Sequence, residues 1–257
     1  MGAESAQGEA QPEGLRVRLL GSGDAFGSGG RLQTCIALEA ARTRVLLDCG
    51  ATSLTAMRRF GVEPPLVDAI AVTHLHGDHF GGLPFFILDA QFGRRERPLT
   101  IAGPPGLAER LRDTMEALFP GSSRTQQRFA LDLIELRPGT RTAIGSAAMT
   151  AFPVQHASGA PAFALRIECA GRVIAYSGDT EWADSLIAVA DGADLFICEA
   201  YFFDKQVKYH LDYRTLLTHR DALRCRRLVL THMSADMLRH VAEVPEECGE
   251  DGLVIEV

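Results

Sequence analysis

Three of the chain's eight histidines fall within six residues, His74-Leu75-His76-Gly77-Asp78-His79. Imidazole and carboxylate side chains together suit zinc, manganese or iron better than calcium or magnesium, which favour oxygen alone. A lone histidine is usually a surface or capping residue. Three beside an aspartate in one short segment are better read as metal ligands. Gly77 permits a tight turn and Asp78 can open a helix, so alternate side chains can be aimed into one cavity.

Something rigid must hold that segment. Asp68–Val72 reads as a buried strand ending at Thr73-His74. Before it, Leu15–Leu20, Thr34–Leu38 and Arg44–Leu47 read as three successive strands. Thr52–Phe60 and residues 107–119 have helical spacing. The second half repeats the theme, with strands predicted at Ala147–Val154, Ala162–Cys169, Arg172–Tyr176, Asp194–Cys198 and Arg227–Leu230, and a helix near Tyr213–Leu223. Ile70-Ala71-Val72-Thr73-His74 is echoed by Leu228-Val229-Leu230-Thr231-His232. Two half-sheets, each delivering Thr-His at a strand end, would make a two-part site. Residues 1–14 lack the apolar content to order themselves and are expected to form a loose tail. No linker divides the remainder, so 15–257 reads as one domain.

Thr73-His74-Leu75-His76-Gly77-Asp78-His79 resembles the signature motif of the metallo-β-lactamase superfamily. The rest of that pattern has counterparts in order: His156 in Val154-Gln155-His156, Asp179 in Ser177-Gly178-Asp179-Thr180, and His232 in Leu230-Thr231-His232. The resemblance implies an α/β (α+β) fold, a four-layer αβ/βα sandwich with two metals at one edge. His74, His76 and His156 would hold one metal, Asp78, His79 and His232 the other, and Asp179 would bridge them. The implied cofactors are two divalent transition-metal ions, zinc first, with manganese or iron as alternatives. Two such ions about 3.5–4 Å apart can share a hydroxide and neutralise charge on a phosphate oxygen.

Within the superfamily, His79 and Asp179 point away from true β-lactamases, which lack that histidine and usually carry cysteine at the bridging position. Glyoxalase II adds a C-terminal helical region, for which the 25 residues after His232 are too few. Leu19-Leu20-Gly21-Ser22-Gly23, Leu46-Leu47-Asp48-Cys49-Gly50 and Ile197-Cys198-Glu199-Ala200 followed by His210 resemble ribonuclease Z and its phosphodiesterase relatives. That resemblance implies His210 as general acid, Glu199 as its orienting partner and Asp48 as the brace of a ligand histidine. Asp78 would also be able to accept the proton of the attacking water.

Two departures count against tRNA. Ribonuclease Z usually inserts a long arm between the third histidine and the bridging aspartate, but Asp179 follows His156 by only 23 residues. Ala25–Arg31 also replaces the family's basic loop after the first strand. In lacking the arm, and in His210-Leu211-Asp212 before a helix, the chain is more similar to the small cyclic phosphodiesterase of the carbon–phosphorus lyase pathway. The expected activity is therefore phosphodiester hydrolysis of a small phosphodiester or cyclic nucleotide through a metal-bound hydroxide. A tRNA 3′-processing endonuclease is the alternative, and a non-catalytic metal-binding scaffold or sensor is the alternative of another class.

Composition narrows the partners. The chain has 257 residues, 46% of them hydrophobic and 23% charged, which excludes a disordered or fibrous chain. A net charge of −7 gives no bulk attraction to a polyanion, so nucleic acid ranks behind a small diester. No apolar run approaches a membrane span and no secretory signal is visible. The six scattered cysteines read as free thiols of a reducing compartment, so a cytoplasmic location is expected. Relatives form two-fold dimers, which the resemblance carries over as a possible homodimer. Arg94, Arg95 and Arg97 read as a solvated turn, with phosphate contact as the sharper alternative. Ser158 and Ser177 stand near candidate ligands, within reach of substrate oxygens by position. His219 and His240 read as surface or helix-end residues.

Overall fold

The computed structural model describes residues 14–41 and 43–257, so the tail expected over 1–14 lies, Gly14 apart, outside the described residues. The first half of the chain lays down β1 (Arg16–Gly21), β2 (Cys35–Ala40), β3 (Thr43–Leu47), β4 (Ala69–Ala71), β5 (Leu99–Gly103) and β6 (Leu131–Glu135) in spatial order. The second half lays down β7 (Arg141–Ile144), β8 (Ala147–Val154), β9 (Ala162–Cys169), β10 (Arg172–Tyr176), β11 (Leu195–Glu199), β12 (Leu228–Thr231) and β13 (Glu247–Cys248), again in order. A last strand, β14 (Val254–Glu256), returns to pair with β1, so each sheet has seven strands.

The sheets face each other across a shared core of alternating side chains, among them Leu19, Leu38, Leu47, Leu165, Ile174 and Ile197. Helices cover the outer faces. On the first sheet these are α1 (Ser53–Arg59), α3 (Leu83–Phe92) and α4 (Leu107–Leu118), burying Met57, Phe86 and Leu111. On the second they are α5 (Ser185–Ala190), α6 (Tyr213–Thr218) and α7 (Ala235–Leu238), burying Leu186, Leu216 and Met237. The result is the expected four-layer αβ/βα sandwich. No helix among the described residues is long and apolar enough to cross a membrane.

The pairing pattern decides where chemistry can collect. β3, β4 and β5 run parallel, as do β10, β11 and β12, and β8 shares the direction of β10 through the antiparallel β9 between them. Parallel strands bring their carboxyl ends to one edge, the usual place for a site in such sheets. The predicted strands at 147–154, 162–169 and 172–176 have the observed limits. β9 and β10 are joined by Ala170 and Gly171, both left-handed (φ 49° and 75°), the conformation a two-residue hairpin turn of matching twist requires.

The structure departs from the sequence reading at several points. β5, β6, β7, β13 and β14 were not among the expected strands: β6 and β7 are largely solvent-facing, so their alternation is weak, and β13 and β14 have only two and three residues. The helix expected over Tyr213–Leu223 ends at Thr218 and continues as a 3₁₀ turn over Arg220–Ala222. Most instructive is the arginine run. Arg95 is buried, neither solvated nor free for a phosphate, and donates to the carbonyls of Pro64, Pro65, Val67, Arg97 and Pro98, while Arg97 pairs with Asp68.

Candidate metal centre

All the predicted ligands stand at the shared strand-end edge. His74 follows β4, His156 follows β8, Asp179 follows β10 and His232 follows β12. Asp78 and His79 lie in the short helix α2 (Gly77–Phe80), begun by the turn at Gly77. Close packing under that turn uses a glycine: a Cβ on Gly50 would stand 2.2 Å from the Asp78 carbonyl oxygen. The sheets are stitched together here by Phe163 N–H to Thr73 O (3.0 Å) and His232 N–H to Ser22 O (3.1 Å).

The side chains gather in two groups whose ligand atoms lie within 4.8 Å of one another: His74, His76 and His156, and then Asp78, His79, Asp179 and His232. In the first, His156 Nε2 is 3.0 Å from His76 Nδ1. In the second, His79 Nε2 is 3.1 Å from Asp179 Oδ1 and 3.3 Å from Asp78 Oδ2, and His232 Nε2 is 3.2 Å from Asp78 Oδ2. Asp179 Oδ2 connects the groups, 3.4 Å from His232 Nε2 and 3.9 Å from the Nε2 atoms of both His74 and His156. The motif resemblance names these same seven residues, with Asp179 between the two groups.

The backs of the rings are held by their surroundings. Buried Asp48 receives four donors: Thr73 N–H (2.8 Å), the Thr73 hydroxyl, the Tyr176 hydroxyl (2.8 Å) and His79 Nδ1 (2.7 Å). That fixes the His79 proton on Nδ1 and frees Nε2 toward the cluster. His74 Nδ1 meets the Thr73 hydroxyl at 3.0 Å, and His156 Nδ1 donates to the Tyr209 carbonyl at 2.8 Å. Asp48 and His232 are both left-handed non-glycine residues (φ 59° and 56°), a strained geometry held where the cluster needs it.

The donor set fits divalent transition-metal ions. Buried His74 Nε2 has no hydrogen-bond partner, although an orphaned buried donor or acceptor is costly unless something takes it up. Imidazole nitrogens facing one another at about 3 Å cannot all be satisfied by shared protons, whereas cations between them would use every lone pair. Electrostatics agrees. Burial and the neighbouring His79 hold His74 well below the usual histidine range, and burial with His156 lowers His76, so both present neutral nitrogen. Burial works against the ionised forms of Asp78 and Asp179, but His79 and His232 outweigh it and hold both carboxyls low. Burial likewise opposes the charge on His232, yet Asp179, the bond to Asp78 and the nearby Glu199 carboxylate push it up to about 10.

Beside the cluster stands His210, its ring 5.1 Å from that of His156 and 6.0 Å from that of His232. Its Nδ1 bonds buried Glu199 Oε1 at 2.5 Å, and Glu199 Oε2 accepts the Thr180 and Leu211 N–H groups. Burial alone would lower His210, but the bond and charge of Glu199 raise it. Asp179, Glu199, His210 and His232 also lie within mutual reach as a third cluster. Ser158 and Ser177 spend their hydroxyls internally, on the carbonyls of Ala160 and Gly178. His219 stacks on Trp182 and His240 on Phe203, outside the metal-ligand groups. Sequence reasoning missed Thr73, Tyr176 and the Tyr209 carbonyl. Thr73 stands inside the motif and was within reach, but nothing in the sequence marks the other two.

Two facing mixed sheets with this histidine–aspartate edge define a metal-dependent hydrolase of the metallo-β-lactamase superfamily, ribonuclease Z-like in its motifs. More narrowly, the chain belongs to the family described as Anti-Pycsar protein Apyc1, whose model matches residues 15–254. It is 29% identical to a ribonuclease Z of Methanothermobacter thermautotrophicus, over 86% of this chain and 87% of that protein. The short form of human tRNase Z is 27% identical in sequence and superposes with a TM-score of 0.75 or better, at 0.77, covering 94% of this chain and 99% of that one. A diphosphatase from the PhnP family, 19% identical, shares the fold with a TM-score of 0.75 over 95% of this chain and 98% of its own.

Proposed function

We propose that the chain is a phosphodiesterase that hydrolyses a small phosphodiester, cyclic nucleotides included, with two zinc-class cations. His74, His76 and His156 would hold one cation, Asp78, His79 and His232 the other, and Asp179 would lie between them. Bound there, the cations would draw a nucleophile from water at neutral pH and offset charge on the phosphate oxygens.

The observation that carries this reading is the His210–Glu199 pair at the rim of the ligand cluster. A metal scaffold would need no protonated imidazole there. Glu199 anchors Nδ1 and favours the charged ring, whose Nε2 proton would go to the departing oxygen as the phosphorus–oxygen bond breaks. Ionised Asp78 would be a ligand and would accept the proton lost by the attacking water. Two further observations favour a small substrate. The two-residue β9–β10 turn leaves no inserted arm between His156 and Asp179, and the acidic surplus of −7 disfavours a long polyanion.

A tRNA 3′-processing activity is the second reading, favoured by relatives named ribonuclease Z that match most of the chain. The test is turnover of bis(p-nitrophenyl) phosphate, a 3′,5′-cyclic nucleotide and a precursor tRNA, with zinc or manganese supplied. Cleavage of the small diesters with the tRNA untouched is expected. Preference for the tRNA would establish the second reading, and inertness toward all three would sink both.

A further inference from the structure

The segment between Glu199 and His210 does more than carry the acid. Residues 204–209 are all exposed, and a recess of about 380 Å³ opens against Gln206, Val207 and Lys208, so core packing does not hold this loop. Tyr209 nevertheless adopts a left-handed backbone (φ 73°), which a non-glycine residue keeps only when its surroundings enforce it. A turn closed by His210 N–H to Val207 O (3.5 Å) places Tyr209 at its third position, and the bonds made there complete a closed circuit. Glu181 Oε2 accepts the Tyr209 N–H at 3.2 Å, and the Tyr209 carbonyl accepts His156 Nδ1–H at 2.8 Å. Glu181 is itself tied back by its own N–H to the carbonyl of Gln155, the residue before His156, at 3.2 Å.

We infer that Glu181 is a positioning residue for the metal ligand His156, acting through the strained Tyr209 backbone. The circuit keeps the His156 proton on Nδ1 and points Nε2 at His76 and Asp179. Because Tyr209 directly precedes His210, the same circuit sets where the acid begins. One exposed carboxylate-to-backbone bond therefore couples metal affinity to acid placement. The inference rests on His156 being a ligand, as proposed above.

The test is zinc affinity of the whole protein by competition with a chromophoric chelator, together with hydrogen exchange at the Tyr209 amide. Outer partners of metal-bound histidines typically contribute 10–100-fold to affinity or activity. Glu181→Ala should weaken zinc binding about ten-fold and speed exchange at Tyr209, with Glu181→Gln, whose amide oxygen still accepts, staying within about three-fold of the parent. Equal affinity in Glu181→Ala, or a loss in Glu181→Gln matching that of Glu181→Ala, would each overturn the circuit. These readouts use no substrate, so they separate from the activity: zinc held but no diester cleaved removes the phosphodiesterase reading alone, and no zinc held by the parent removes both.

Discussion

At the scale of single residues, His210 and the ligand histidines are kept in different states by the same acidic neighbourhood. His74 and His76 are neutral because burial and adjacent imidazoles disfavour their charge, whereas His210 is raised because Glu199 bonds its Nδ1 and adds a negative charge beside it. A raised acid keeps its proton to higher pH than a free imidazole and loses it as pH climbs through the raised value. Turnover of an alkyl diester should therefore fall on the alkaline side with the loss of one proton. His210→Ala should lower kcat/KM for that substrate by about 100-fold or more and abolish this alkaline limb. Bis(p-nitrophenyl) phosphate, whose leaving group needs no proton, should change far less in the same variant.

At the scale of elements, the strand ends were legible because short apolar runs closed by Asp, Thr-His or Gly-Asp are written contiguously. Arg95 shows where that legibility stops. A guanidinium in an arginine-rich loop suggests solvent or phosphate, yet here it gathers five carbonyls from the 3₁₀ turn at Pro64–Leu66, from Val67 leading into β4, and from the turn before β5. It clamps the approach to the strand that delivers His74. Hydrogen bonds to a charged group contribute about 1.5–3 kcal/mol each, and the burial that disfavours the Arg95 charge offsets much of their sum. Arg95→Ala should lower unfolding free energy by about 3 kcal/mol, read from urea denaturation, with metal content at saturating zinc unchanged. Gly178 makes a related point: it is left-handed (φ 59°) and a Cβ there would meet Phe163 O and Thr73 Cβ at 3.0 Å, so the residue before Asp179 has no room for a side chain.

At the scale of the whole molecule, the candidate centre joins the two sheets, since His74 and His79 come from the first and His156, Asp179 and His232 from the second. Cations bound there would hold the halves together and stabilise the folded state by mass action. Chelation should lower Tm, and zinc should restore it. Protons must leave His79 and His232, both raised above the ordinary histidine value, before their nitrogens can ligate. Metal stabilisation should thus shrink as pH falls, and titration calorimetry in buffers of different ionisation enthalpy should register proton release on binding. The sequence by itself determined the donor types, their order and the strands that end in them, because ligand chemistry resides in side chains and strand periodicity is local. Only the tertiary structure decided that Asp48 collects four hydrogen-bond donors, that Arg95 is a clamp, and that a carbonyl at Tyr209 faces His156. Every residue has a carbonyl and an N–H, so which of them is spent on the site is written in the fold and not in the residue's name.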